Sequence, residues 1–429
     1  EDFQTGSSFH RVLWDDAQHG NSTLELEPDD QIERVVMCSG KVYYDLLEER
    51  DATLRNGADE GRTERQMLEE IDTLWRTGPL RAEKPSPTDE VRAVMAVFDD
   101  TLFTSIPEVY RRVDDALQGP AAGSRSPVVR PFVRIGSWVG GDRDGNPFVT
   151  ASVTRKAAKI ASEHVLLGLE RAALRIGRTL TLDVDTTPPS DAVTSLWHRL
   201  RSADEDAARD IAKRSPGELH RSVVLLAARK IAATRTRDAD LAYATPDELL
   251  ADLRVVQDSL VSASAPRQAY GQLQQLIWQV ETFGFHLAEL EVRQHSAVHR
   301  KVLDELDAGG ERSELAEEVL EVFRVVKFLQ DRYGPRAAGR YIVSFTQSAE
   351  DLANVHRLAR YAVGEGATPP VLDVIPLFET FADLLSLAEL TLPQRVSVHR
   401  EIICLSETAA DAGSVTTRVA TCRKYTDTV

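Results

Sequence analysis

A short apolar run that ends in polar residues and passes straight into a helix start recurs along this chain, and this recurrence restricts the possible folds more than any other feature. Val128 to Trp138 leads into a glycine-rich loop and a long helix from about Ser152. Phe285 to Val292 ends at Arg293-Gln294-His295-Ser296, and Tyr341 to Phe345 is followed by Thr346-Gln347-Ser348, where Ser348 can cap a helix with Asp351 three residues on. Val371 to Phe378 ends at Glu379-Thr380, with Thr380 and Asp383 repeating that spacing, and Glu401 to Leu405 runs into Ser406-Glu407. Strands that alternate with helices in this way make a parallel sheet, and the side chains leaving the carboxyl ends of its strands converge. The expected class is α/β: a helix-rich, TIM-type (β/α) barrel, incomplete within this sequence, with a doubly wound open sheet as the alternative. Residues 153 to 280 are too many for a minimal barrel connection and are read as helical insertions.

Local patterns fill in the rest. Ile32 to Cys38 reads as a strand, Ser39-Gly40 as a turn and Val42 to Leu47 as a helix, followed by a charged linker over residues 48 to 64. Met67, Leu68, Ile71, Leu74 and Trp75 fall on one helical face, and Val91, Val94, Met95, Phe98 and Leu102 on another. Thr245-Pro246-Asp247-Glu248 has the spacing of a capping box with proline at the first helical position.

Fifty-one basic against 68 acidic side chains leave a formal charge of -17. An extended nucleic-acid surface is therefore not expected, whereas a local basic cleft for a small anion is compatible with the balance. Three cysteines, Cys38, Cys404 and Cys422, show no C-x-x-C spacing, which argues against a disulfide framework or cysteine zinc site and for a cytoplasmic setting. The longest apolar run, Ser222 to Ala228, is far short of the ~20 residues that cross a bilayer. The acidic start, Glu1-Asp2-Phe3-Gln4, does not read as a secretory signal, and without Met it is expected to be an incomplete N-terminus.

Gly136-Ser137-Trp138-Val139-Gly140-Gly141-Asp142-Arg143-Asp144-Gly145-Asn146-Pro147 is the most unusual string in the chain. Its glycines and proline make a tight loop that projects one Trp and several charges, and a plain solvated turn is the simplest reading. Asp142, Asp144 and Asn146 imitate the start of a calcium loop, but Pro147 replaces the required glycine and Val153 the bidentate Glu. No Gly-Lys-Ser/Thr follows to make a phosphate-binding P-loop. Arg293, at a strand end, is either a surface ion-pair partner or a planar clamp for phosphate or carboxylate. Glu379 follows a nearly all-apolar strand and is either a helix cap or a ligand for a hard divalent metal. No H-E-x-x-H or G-x-S-x-G string is present.

Five segments together resemble the phosphoenolpyruvate carboxylase family, particularly its actinobacterial members. They are Leu74-Trp75-Arg76-Thr77, the stretch GSWVGGDRDGNPFVTA from Gly136 to Ala151, FGFHLAELEVRQHS from Phe283 to Ser296, YIVSFTQSAEDL from Tyr341 to Leu352, and VIPLFET from Val374 to Thr380. They stand in family order across roughly residues 51 to 413. The resemblance implies a (β/α) barrel that joins phosphoenolpyruvate and bicarbonate with Mg²⁺ or Mn²⁺, giving oxaloacetate and phosphate through carboxyphosphate and an enolate. The resemblance also implies a homo-oligomer, a tetramer in the family. Arg293 matches a phosphate-binding arginine and Glu379 a metal-ligating glutamate. Trp138 and Leu377 match an apolar pocket that shelters the intermediate, and Arg143 joins Arg293 as a catalytic candidate.

The departures fall where the chemistry would be. Cys404-Leu405-Ser406-Glu407-Thr408-Ala409-Ala410-Asp411 stands where the family has Gly-Tyr-Ser-Asp-Ser-Ala-Lys-Asp, so Glu407 replaces the second metal-binding Asp and Ala410 a substrate-side Lys. No histidine precedes a proline, so the family's Thr-Ala-His-Pro-Thr-Glu motif is absent, as is the downstream His-Gly-Arg-Gly-Gly loop. Residues 34 to 46, RVVMCSGKVYYDL, instead resemble the C-terminal domain of the thiamine-dependent component of 2-oxoglutarate dehydrogenase, without the elements that would hold thiamine diphosphate. The expected organisation is thus a βα fragment over 1–50 and a partial carboxylase barrel over 51–429. The alternative function is a non-catalytic binding or subunit-association module.

Overall fold

A computed structural model describes residues 85–144 and 146–377, together with residues 65, 68–69, 71–73 and 76, which are helical. The chain divides into two units at Lys84 and Pro85, and the architecture below belongs to the second. The expected strand Ile32 to Cys38, Glu379, Glu407 and the fifth expected strand, Glu401 to Leu405, lie outside the described residues.

Four strands, β1 (Gly136–Ser137), β2 (Glu289–His295), β3 (Arg340–Ser344) and β4 (Asp373–Pro376), form a parallel sheet in the order β1-β2-β3-β4. Each crossover adds the next strand beside the last, without the reversal of a doubly wound sheet among the described strands. The register sets Glu291 opposite Arg340, Arg293 opposite Ile342 and Ile342 opposite Ile375. Because side chains alternate across a strand, Glu289, Glu291 and Arg293 share one face of β2 with Arg340, Ile342 and Ser344 of β3. The opposite face carries Leu290, Val292, Tyr341 and Val343, which pack into the main helical core. Ile342, Ile375 and Leu377 form a separate small cluster on the first face.

The helices that cover the apolar face include α1 (Pro87–Val97), α2 (Phe103–Gln118) and α3 (Ala151–Thr179). They are followed by α4 (Asp191–Ala203), α5 (Glu205–Arg214), α6 (Leu219–Thr236), α7 (Pro246–Ser262), α8 (Pro266–Ala269) and α9 (Gln272–Phe283). After β2 come α10 (Ser296–Ala308) and α11 (Glu314–Tyr333), and after β3 comes α12 (Ala349–Val363). The expected insertion between residues 153 and 280 is thus helical throughout most of its length. The face Val91, Val94, Met95, Phe98, Leu102 does not lie on one α-helix: residues Phe98–Leu102 form a π-helical turn joining α1 to α2. Pro107 lies inside α2 and has no N–H to offer the carbonyl of Phe103. The side-chain amide of Gln279 on α9 donates to that carbonyl at 3.1 Å and satisfies it from outside the helix.

Strand ends differ from the sequence reading for identifiable reasons. Val128 to Arg134 does not join the ladder, because the N–H groups of Val128 and Val129 go to the Asp114 carboxylate (2.8 and 3.2 Å) and that of Val133 to the Tyr110 hydroxyl (3.3 Å). Phe285 to Ala288 is a turn with Gly284 and Leu287 at positive φ, so β2 starts four residues later than expected and continues to His295. Arg293 is consequently inside the strand. At α7, Thr245 accepts from the N–H of Glu248 (3.4 Å), but the Glu248 carboxylate reaches Ala244 (3.0 Å), one residue before the cap. At α12 the Asp351 carboxylate accepts from the N–H groups of Ser348 (3.1 Å) and Gln347 (3.0 Å) and pairs with Arg300 of α10.

Candidate functional site

The carboxyl ends of the parallel strands bring together residues far apart in sequence. Arg293 sits near the end of β2, Ser344 ends β3, Leu377 follows β4, and the glycine-rich loop leaves β1. That loop turns back at once: the N–H groups of Gly141 and Asp142 both donate to the carbonyl of Trp138 (2.8 and 3.0 Å). It then runs beside β2, with the Arg293 N–H donating to Gly141 (2.9 Å) and the Arg143 N–H to the carbonyl of Arg293 (3.2 Å). Glycine is required at 141, because a Cβ there would lie far inside contact distance of the backbone oxygen of Glu291. Gly140 has φ +86° and faces Ala157 and Val91, so it combines the left-handed region with a close approach.

Alternation along this stretch sends Asp142 and Arg143 to opposite faces. The Asp142 carboxylate accepts from Nη1 of Arg293 (3.3 Å) and from the N–H of Asp144 (3.1 Å). Arg293 also donates from Nε to the buried hydroxyl of Ser344 (3.1 Å). A guanidinium held on two sides at the mouth of a parallel sheet is oriented in advance for an anion. Arg143 points the other way, toward the helical layer. Its side chain is 5% exposed, and its Nη2 donates to Oε1 of Glu318 on α11 (3.2 Å). Burial pulls its pKa below the ordinary arginine range, opposed by the Tyr341 phenol and by Glu318. The two arginine candidates are therefore neighbours in backbone but not in side chain.

Trp138, at the start of the loop, is 54% exposed, whereas Leu377 is 2% exposed and hydrogen-bonds Val343 of β3 through its N–H (2.9 Å). Glu379 lies two residues beyond Leu377 in sequence, outside the described residues, as does Glu407. Among the described residues no group of three or more His, Cys, Asp or Glu is arranged to hold a metal ion, and Asp142, the carboxylate at this mouth, is committed to Arg293 and Asp144.

At the amino ends of the strands the same face is closed by charge. The buried Glu289 accepts from Arg134 through both oxygens (2.8 and 2.7 Å) and from Arg336 (2.8 Å), and Glu291 accepts from Arg340 (3.2 Å). Burial alone would raise the Glu289 pKa, but the hydrogen bonds and charges of Arg134 and Arg336 outweigh it and hold it below the usual range. Sequence reasoning passed over this cluster, and also Ser344 and Glu318, and weighed Asp142 only as the start of a calcium loop. Period-2 alternation through Glu289, Glu291 and Arg293 was the available signal for the first.

The family model described as phosphoenolpyruvate carboxylase matches residues 27–310 and 308–402. The chain belongs to the phosphoenolpyruvate carboxylase family. Among similar proteins so named, that of Roseiflexus castenholzii is 34% identical, with 84% of this chain and 43% of the relative aligned. The phosphoenolpyruvate carboxylase of Nocardia farcinica is 31% identical (80% and 42%) and one of Rhodopseudomonas palustris 29% identical (86% and 45%). The chain therefore spans less than half the length of these carboxylases. The family match begins inside residues 1–50, the segment whose likeness to the 2-oxoglutarate dehydrogenase component is a separate expectation. No helix among the described residues is long and apolar enough to cross a membrane.

Proposed function

We propose that these residues form the phosphate-binding part of a phosphoenolpyruvate carboxylase, a carbon–carbon lyase that joins phosphoenolpyruvate to bicarbonate and releases oxaloacetate and phosphate. The observation that carries this reading is Arg293, held by Asp142 and Ser344 at the carboxyl edge of a parallel sheet in a chain of this family. The four strands, wound in one direction with charge on the inner face and helices outside, are read as part of a (β/α) barrel. Arg293 would neutralise the phosphate of the substrate, and Trp138 and Leu377 would keep water from the reacting carbon. Glu379 and Glu407 would hold Mg²⁺ or Mn²⁺, which when bound supplies positive charge to the developing enolate oxygen. Arg143 is assigned a part in shaping the loop. The setting is read as cytoplasmic and the assembly as a homo-oligomer.

Calorimetry of the 429-residue protein with phosphoenolpyruvate and Mg²⁺ tests the binding step. Replacing Arg293 by Ala is expected to cost about 2 kcal/mol, roughly thirtyfold in Kd, the range for a hydrogen bond to a charged group. Equal affinity in the variant overturns the clamp. Equal metal-dependent affinity in Glu379→Ala overturns the ligand assignment. A second reading, a binding module without turnover, is favoured by Glu407 and Ala410 and by the lack of any His-Pro pair. A coupled assay for bicarbonate-dependent oxaloacetate separates the two: binding without product selects the module.

A further inference from the structure

We propose that Glu318, on α11, is a positioning residue for the phosphate clamp: its carboxylate fixes the loop that carries Asp142 and, through Asp142, the guanidinium of Arg293. One oxygen, Oε1 of Glu318, accepts both from Nη2 of Arg143 (3.2 Å) and from the N–H of Ala151, the first residue of α3 (2.6 Å). The same atom thus fastens the segment 143–151 at both ends. Among the described residues nothing else satisfies that guanidinium: Nε and Nη1 of Arg143 are buried without a hydrogen-bond partner there. A guanidinium only 5% exposed cannot stay in place once its one acceptor is lost, because an unpaired buried cation is costly. Rehydrating it requires the backbone at Arg143 to move outward. That backbone is tied to β2 by the N–H of Arg143 on the carbonyl of Arg293, and Asp142 precedes it directly.

The loop also has a second tie to α3, the hydroxyl of Thr154 donating to the carbonyl of Gly140 (3.0 Å). Loss of Glu318 should therefore loosen the loop rather than unfold it, and the Glu318 side chain is itself 41% exposed. The effect on ligand affinity rests on the function proposed above, whereas the effect on the loop does not.

The test uses the full chain labelled with 5-fluorotryptophan, with the Trp138 resonance assigned by Trp138→Phe, and amide exchange at Gly141, Asp142 and Arg143. Glu318→Ala is expected to shift the Trp138 resonance, to speed exchange at the three amides, and to weaken phosphoenolpyruvate binding about tenfold, the scale of losing a residue that orients a ligand group. Glu318→Gln, which keeps the accepting oxygen, should restore most of each signal. Glu321→Ala, on the same helix but paired with Arg324, should change none of them. Unaltered resonance and exchange in Glu318→Ala overturn the proposal. If the unmutated protein shows no phosphoenolpyruvate binding but the loop still loosens, the positioning role stands and the functional reading falls.

Discussion

Gly141 shows how one missing side chain can couple two distant segments. A Cβ at this position would overlap the carbonyl oxygen of Glu291, and the bare backbone runs close enough beside β2 to accept from the Arg293 N–H and to bring Asp142 within reach of its guanidinium. Gly141→Ala is expected to cost about 1–3 kcal/mol, the range for overpacking a tight site, seen as a lower urea midpoint. It should also weaken phosphoenolpyruvate binding, since the loop must back away from β2. Two buried histidines set a pH limit. Burial is the leading cause that pushes the pKa of His299 down to about 3 and that of His286 down to about 4, from 6.5. The unfolded chain takes up these protons first, so stability is whole above pH 6.5 and falls progressively as pH drops toward those lower values. Urea midpoints that stay level as the pH is lowered from above 6.5 to about 4 would refute this. At this scale the position of Arg293 near the carboxyl end of a strand was legible, because an apolar run passing into a helix start marks that end. Asp142 was not, because its partner is 151 residues away and its spacing resembled a metal loop that fails on other grounds.

β2 divides its work along its length. Its first charged residue, Glu289, binds arginines from three other segments, and Arg293 faces the open edge. Glu289→Ala should therefore destabilise the fold by about 1–3 kcal/mol, since it removes a buried acceptor shared by three arginines, yet leave the ligand affinity of the folded fraction nearly unchanged. Arg293→Ala should do the reverse, and thermal melts beside calorimetry would distinguish the two. Helices were readable because spacing and caps are local signals. Thr245 accepts the N–H three residues on, and Ser348 forms a capping box with Asp351, both at places the spacing marks. Strand limits were less readable, because Val128 to Val133 has the composition of a strand while Asp114 and Tyr110 of α2 take its backbone donors. No pattern within those residues reveals that competition.

For the molecule as a whole, the alternation of strands and helices gave the parallel class from sequence, and the single winding direction had to come from pairing. The 429 residues alone are expected to turn over phosphoenolpyruvate weakly or not at all in a coupled oxaloacetate assay, because they hold no His-Pro pair and carry Glu407 and Ala410 in the segment proposed above to supply the second metal ligand. Rates comparable to a whole family enzyme would contradict this. The two chemistries that β2 presents on its opposite faces also bear on how such a gene can change. Exchanging one residue for another there alters a single contact. Losing or gaining one codon between Glu289 and Arg293 would turn the guanidinium into the oily layer and offer Val292 to the anion instead, so this strand can vary in spelling but not in length.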